Sequence, residues 1–170
     1  ILYGSMPIYW AHAEGLWQRD RRAFLRSYFH ISKMHESVGM AEMLSHEFLS
    51  PDRALQRTTF SDGTVAVVNF APDVRVVEVA GGSYALPQNG FAVVGPRLRQ
   101  SMIAQDDMHY SQVSCGDFLF RGAMAADGSG ELSILQAKKL ARGRLQLTIM
   151  GKGLTLPKSH FGKRSFLAKL

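Results

Sequence analysis

The stretch Leu55-Gln56-Arg57-Thr58-Thr59-Phe60-Ser61-Asp62-Gly63-Thr64-Val65-Ala66-Val67-Val68-Asn69-Phe70 decides how this chain is read. Residues 54–60 alternate apolar and polar side chains, the period of a strand with one buried face. Asp62-Gly63 is the dipeptide of a tight hairpin, where the backbone needs a positive φ that glycine accepts at no steric cost. Residues 65–70 then form the return strand. An antiparallel hairpin over 54–70 is the expectation.

The same punctuation continues along the chain. Strands are expected at 42–49, 74–79, 84–86, 91–94, 98–104, 108–113, 118–121, 132–136, 145–150 and 154–156. They are separated by Gly81-Gly82, Pro87-Gln88-Asn89-Gly90, Asp127-Gly128, Arg142-Gly143 and Gly151 to Gly153. These signals recur at the roughly 8–12-residue spacing of antiparallel sandwiches and barrels.

Upstream of residue 40 the period differs. Trp17, Phe24, Tyr28, Ile31 and His35 recur at steps of three, four or seven, which predicts a helix over 16–36 with that stripe as its apolar face. Gly39 is the expected C-cap. Residues 1–10 (ILYGSMPIYW) read as a short buried strand running into a loop. Strand, loop and helix make one βα unit, which cannot bury both its faces alone. The fold class expected is therefore mostly β: an antiparallel β-sandwich preceded by one βα unit. The division expected is 1–45 for the βα piece of an upstream domain and 46–170 for the sandwich. The detached βα unit should dock on the sandwich or on another chain.

Composition bounds the function. Hydrophobic residues make up 46% of the 170, enough for a packed core rather than wholesale disorder. No apolar run reaches the roughly 18 residues of a membrane helix, so no membrane partner is expected. The net charge of +6 raises nucleic acid as a partner. The basic residues, however, lie scattered on a helix, beside a turn and along the tail, without interleaved aromatics for base stacking. No nucleic-acid partner is expected, and no compartment can be read. The single cysteine, Cys115, excludes an internal disulfide and a Cys-rich zinc site, and reads as a small packing residue.

Two phrases then resemble a known family. The hairpin over 55–70 is similar to a segment written roughly Q-x-T-x-F-x-D-G-T-x-V-x-V-N-F, which follows the catalytic barrel of several glycoside hydrolases. Leu86-Pro87-Gln88-Asn89-Gly90-Phe91-Ala92-Val93 resembles the l-P-p-x-G-F-x-v phrase after it. The phrases resemble those of endo-α-N-acetylgalactosaminidase-type enzymes, whose (β/α)₈ barrel is trailed by a β-sandwich. The resemblance implies that residues 1–10 are the eighth barrel strand and 16–36 its helix. It implies a carbohydrate substrate and an upstream barrel domain of the same protein as partners.

Barrel glycosidases work with two carboxylates flanking the scissile bond, supplied by earlier strands. This chain therefore carries no expected catalytic residue, and no cofactor. Barrel sites lie at the C-terminal ends of the strands, which presents Tyr9, Trp10 and His12 as substrate-binding candidates. An aromatic face suits a sugar ring, and His12 can hydrogen-bond a hydroxyl. Glu14 shares that loop but has no visible partner carboxylate. His35-Glu36 and His46-Glu47 lack the His-Glu-x-x-His spacing, so no metal is expected. Ser5 lacks the second glycine of a nucleophile elbow. The rival reading is a carbohydrate-binding or structural β-sandwich, in which Tyr84, Phe91, Tyr110 or Phe118 would present exposed faces to a glycan.

Overall fold

The computed structural model describes residues 1–6, 15–116, 118–127, 133–139 and 145–150. Its framework is antiparallel. After the helix α1 (Leu16–Val38) come β1 (Met43–Phe48), β2 (Leu55–Phe60), β3 (Val65–Asn69), β4 (Arg75–Val79), β5 (Gly82–Leu86) and β6 (Phe91–Val94). There follow β7 (Arg99–Gln105), β8 (Met108–Cys115), β9 (Phe118–Ala125), β10 (Ser133–Lys139) and β11 (Leu145–Met150). Among the described residues nine strands form one sheet in the order β1-β2-β3-β6-β7-β8-β9-β10-β11, and β4-β5 pair apart from it. The chain is thus mostly β and sandwich-like. The expected strand at 154–156 lies outside the described residues.

The expected hairpin over 54–70 is present. β2 and β3 pair from Leu55 opposite Asn69 to Thr59 opposite Val65. Gly63 takes the positive φ of 85° that the turn needs, and Asp62 Oδ1 accepts the Thr64 N–H at 2.9 Å.

β3 does not continue to β4 in the sheet. It pairs with β6, with Val65 opposite Val94 and Val68 opposite Phe91. The chain between them leaves the sheet as the β4–β5 hairpin and lies on one face. There Val77, Val79 and Leu86 pack on Val67, Ala92 and Val94. Ala80 and Gly81 turn this hairpin at φ 49° and 77°, the two left-handed residues of a primed turn. This small second sheet is the sandwich layer.

The other face carries α1. Leu2, Met34 and Val38 form a core with Phe60, Ala66, Val68, Phe91, Val93, Leu98, Val113 and Phe120, and Phe29 packs against it. The helix therefore docks on the sheet. The face it uses differs from the expected stripe. His30, Met34, Ser37 and Val38 are buried, whereas Trp17 and Tyr28 stand 50% and 49% exposed. One residue is about 100° of helix, so the buried face is turned by about that angle from the Trp17–Tyr28 stripe. His30 is accommodated because its Nδ1 donates to Gln100 Oε1 at 3.3 Å and its ring meets Phe91 and Phe120 edge-on.

Gly39 caps the helix as expected, in right-handed geometry at φ −59° with its N–H donated to His35 O. Residues 1–6 differ from expectation. They form a turn rather than a strand, closed by Gly4 N–H on Ile1 O at 3.2 Å. Gly4 sits at φ 64°, which interrupts an extended run, and Leu2 gives its side chain to the core. Residues 7–10 of that expected strand lie outside the described residues.

Candidate functional site

Tyr9, Trp10 and His12, the expected sugar contacts, lie outside the described residues, as does Glu14. The aromatics of the rival reading are drawn inward. Phe91 is in the core, Phe118 stacks on Phe29 at 5.5 Å, and Tyr84 and Tyr110 are half-buried. The exposed aromatics are others.

Two of them, Trp17 and Tyr28, lie on the outward face of α1. They are eleven residues apart, three turns of helix, so they share one side. Phe24 stacks on Trp17 with ring centroids 6.0 Å apart. This is the stripe the heptad-like spacing marked, and it faces away from the sheet.

A second aromatic strip runs along β1. Tyr3 lies 5.6 Å from the His46 ring, His46 lies 5.4 Å from Phe48, and the Arg53 guanidinium caps Phe48 at 5.5 Å. Alternation along β1 puts Leu44, His46 and Phe48 on one side and Glu47 on the other. Glu47 pairs with Arg57 at 2.7 Å, and that hydrogen bond holds its carboxyl below the usual range. His46 and Glu47 therefore diverge. Glu36 pairs with Lys33 at 2.6 Å. Among the described residues no three His, Cys, Asp or Glu side chains gather to hold a metal ion. Cys115 is a half-buried thiol packed against the core.

Among the described residues one pair of carboxylates converges on a shared cation. Asp52 and Asp73 both accept from Arg75, at 2.8 Å each. The Ser50 hydroxyl and the Ala54 N–H, with Arg75, hold Asp52 down at about 2. Arg75 lowers Asp73 as well. A glycosidase general acid needs the opposite, a raised pKa that keeps its proton near neutrality. This pair is ionised there and serves as an ion-pair clamp beside the β4–β5 excursion.

A cleft of about 550 Å³ lies at the C-terminal end of α1. His35, Glu36, Gly39 and Met40 form its helix side, and Ser61, Asp62 and Arg97 its loop side. The β2–β3 turn brings Asp62 there, and the loop before β7 brings Arg97. Arg97 Nη2 donates to Ser37 O at the helix terminus, where the exposed carbonyls favour a cation. The same nitrogen is 3.9 Å from Asp62 Oδ2. Asp62 Oδ2 is shielded from water and has no hydrogen-bond partner. His35 Nδ1 donates to Gly4 O at 3.0 Å. Asp62 entered the sequence reading as a turn former and Arg97 did not enter it. Nothing in their local spacing ties them to residues 35–40, because the sheet brings them together.

Set beside described protein families, curated proteins and solved structures, the chain matches none of them.

Proposed function

We propose that this chain is the non-catalytic C-terminal part of a glycoside hydrolase. The helix α1 belongs to the end of a (β/α)₈ barrel, and the β domain that begins with β1 buttresses that barrel. The observation that carries the reading is the outward face of α1. A helix already seated on the sheet through Met34 and Val38 still presents Trp17 and Tyr28 on another side. A helix with apolar residues on two sides is suited to lie between two bodies, one on each side. The two phrases at 55–70 and 86–93 supply the family, and the clamped Asp52–Arg75–Asp73 cluster suits a part that does no acid–base chemistry.

A panel of aryl glycosides tests the proposal. The longer protein containing this chain hydrolyses one of them, and the 170-residue chain by itself hydrolyses none. Turnover by this chain alone overturns the reading. A Trp17→Glu/Tyr28→Glu double variant adds a second readout. It lowers the temperature at which the longer enzyme loses activity, while leaving the melting of the 170-residue chain within a few degrees.

A further inference from the structure

We infer that the outer edge of β1 pairs antiparallel with the same edge of a second copy of this chain, across a two-fold axis at His46. The inference goes beyond the glycoside hydrolase reading and does not depend on it.

β1 ends the nine-stranded sheet, and among the described residues no strand pairs with its outer side. Such an edge offers a row of backbone donors and acceptors to an extended chain. The ladder with β2 shows which groups these are. Glu47 stands opposite Arg57, and two residues on Leu49 donates its N–H to Leu55 O at 2.7 Å. Alternation then turns the backbone groups of Glu47 and Leu49 toward β2 and those of His46 and Phe48 outward. The sequence does little to guard this edge. Met43–Phe48 contains neither proline nor lysine, two residues that keep edges from pairing. Its bulge lies between Met43 and Ser45, and the ladder from Ser45 to Phe48 is regular.

The residues along the edge select a second copy as the occupant. Met43, Leu44 and Phe48 are exposed. A two-fold at His46 sets each Phe48 against the partner's Met43 and Leu44, so the same apolar contact is made twice. Each His46 N–H donates to the partner's His46 carbonyl oxygen, the closely spaced pair of an antiparallel ladder. An axis between two residues would set an outward-facing residue against an inward-facing one and lose these bonds. The charges agree with the same arrangement. Glu47 is spent on Arg57 at 2.7 Å, so pairing brings no bare carboxylates together. Glu42 precedes β1 and Arg53 follows it, both exposed, and neither has an ion-pair partner among the described residues. Antiparallel pairing brings the Glu42 end of each copy to the partner's Arg53 end, and parallel pairing would set like charges together.

The test is sedimentation equilibrium of the 170-residue chain. The expected result is a reversible monomer–dimer equilibrium over about a hundredfold range of concentration. His46→Pro removes an outward N–H that β2 does not use. It weakens the dimer about tenfold or more and leaves the melting temperature within a few degrees. Glu42→Arg and Arg53→Glu each weaken the dimer, and the double variant Glu42→Arg/Arg53→Glu restores it. Amide hydrogen exchange adds a local readout. The His46 and Phe48 amides are protected in concentrated solution and lose protection on dilution, whereas the Glu47 amide stays protected throughout. A monomer at every concentration, a dimer unchanged by His46→Pro, or a double variant no tighter than the single ones each overturns the inference. None of these outcomes alters the aryl-glycoside result, so the two readings fail separately.

Discussion

Asn69 Nδ2 donates to the carbonyl oxygen of Leu86 at 2.9 Å and so ties the end of β3 to the end of β5, 17 residues later. The same amide donates to Asp73 O at 2.8 Å, and its Oδ1 accepts the Ala71 N–H at 3.0 Å. Asn69 is wholly buried, so these backbone groups have no water to turn to. One side chain thus holds both ends of the β4–β5 excursion and lets β3 pair with β6.

Replacing it should therefore loosen the second layer. Asn69→Ala leaves buried backbone groups unsatisfied and is expected to lower stability by about 2–4 kcal/mol. Urea denaturation followed by far-UV circular dichroism measures this. A loss below about 0.5 kcal/mol, the usual surface effect, contradicts the anchoring role.

The orientation of α1 separates two substitutions sharply. Met34→Ala opens a cavity under the helix and should cost about 2–5 kcal/mol. Trp17→Ala removes a larger, exposed side chain and should cost under about 1 kcal/mol in this chain. Thermal melts of the two variants give the comparison. The reverse ranking would mean that the Trp17–Tyr28 stripe is the buried face.

The Ala80-Gly81 turn offers a gain. Ala80 holds a left-handed φ of 49° that asparagine tolerates better than alanine. Ala80→Asn should stabilise the chain by about 0.5–1 kcal/mol, read as a rise in the urea midpoint at unchanged m-value.

The Ser50 hydroxyl, the Ala54 N–H and Arg75 together set an acid response at Asp52. The folded-state pKa of Asp52, about 2, lies below its ordinary value of 3.8. A depressed carboxyl contributes stability that is present above the unfolded value and lost as pH falls through the folded one. The contribution should therefore fade between about pH 4 and pH 2. Carboxyl ¹³C titration should place the Asp52 midpoint near the lower end. Asp52→Asn should flatten the melting temperature over that window relative to the parent.

Most of the strand ladder was legible along the chain, because alternation and turn dipeptides are local signals. The Asp62-Gly63 and Gly81-Gly82 regions mark their hairpins, and Gly39 marks the helix end. The face of α1 was not legible. Trp17 and Tyr28 count as apolar in any periodicity, while His30 and Ser37 count as polar. The structure buries the second pair because His30 finds Gln100 across the sheet. That partner is 70 residues away and invisible to a window of one helix.

The candidate cleft divides in the same way. By itself the sequence determined an antiparallel β protein with a helix before it, with Asp62 as a turn residue and Asn69 at a strand end. Only the tertiary structure decided that β4–β5 leaves the sheet, that residues 1–6 turn rather than extend, and that Asp62 and Arg97 meet the end of α1. Local backbone preference selects strands and turns within a few residues. Which strand pairs with which, and which side chains converge, depends on burying apolar area across long sequence separations, and that balance belongs to the whole fold.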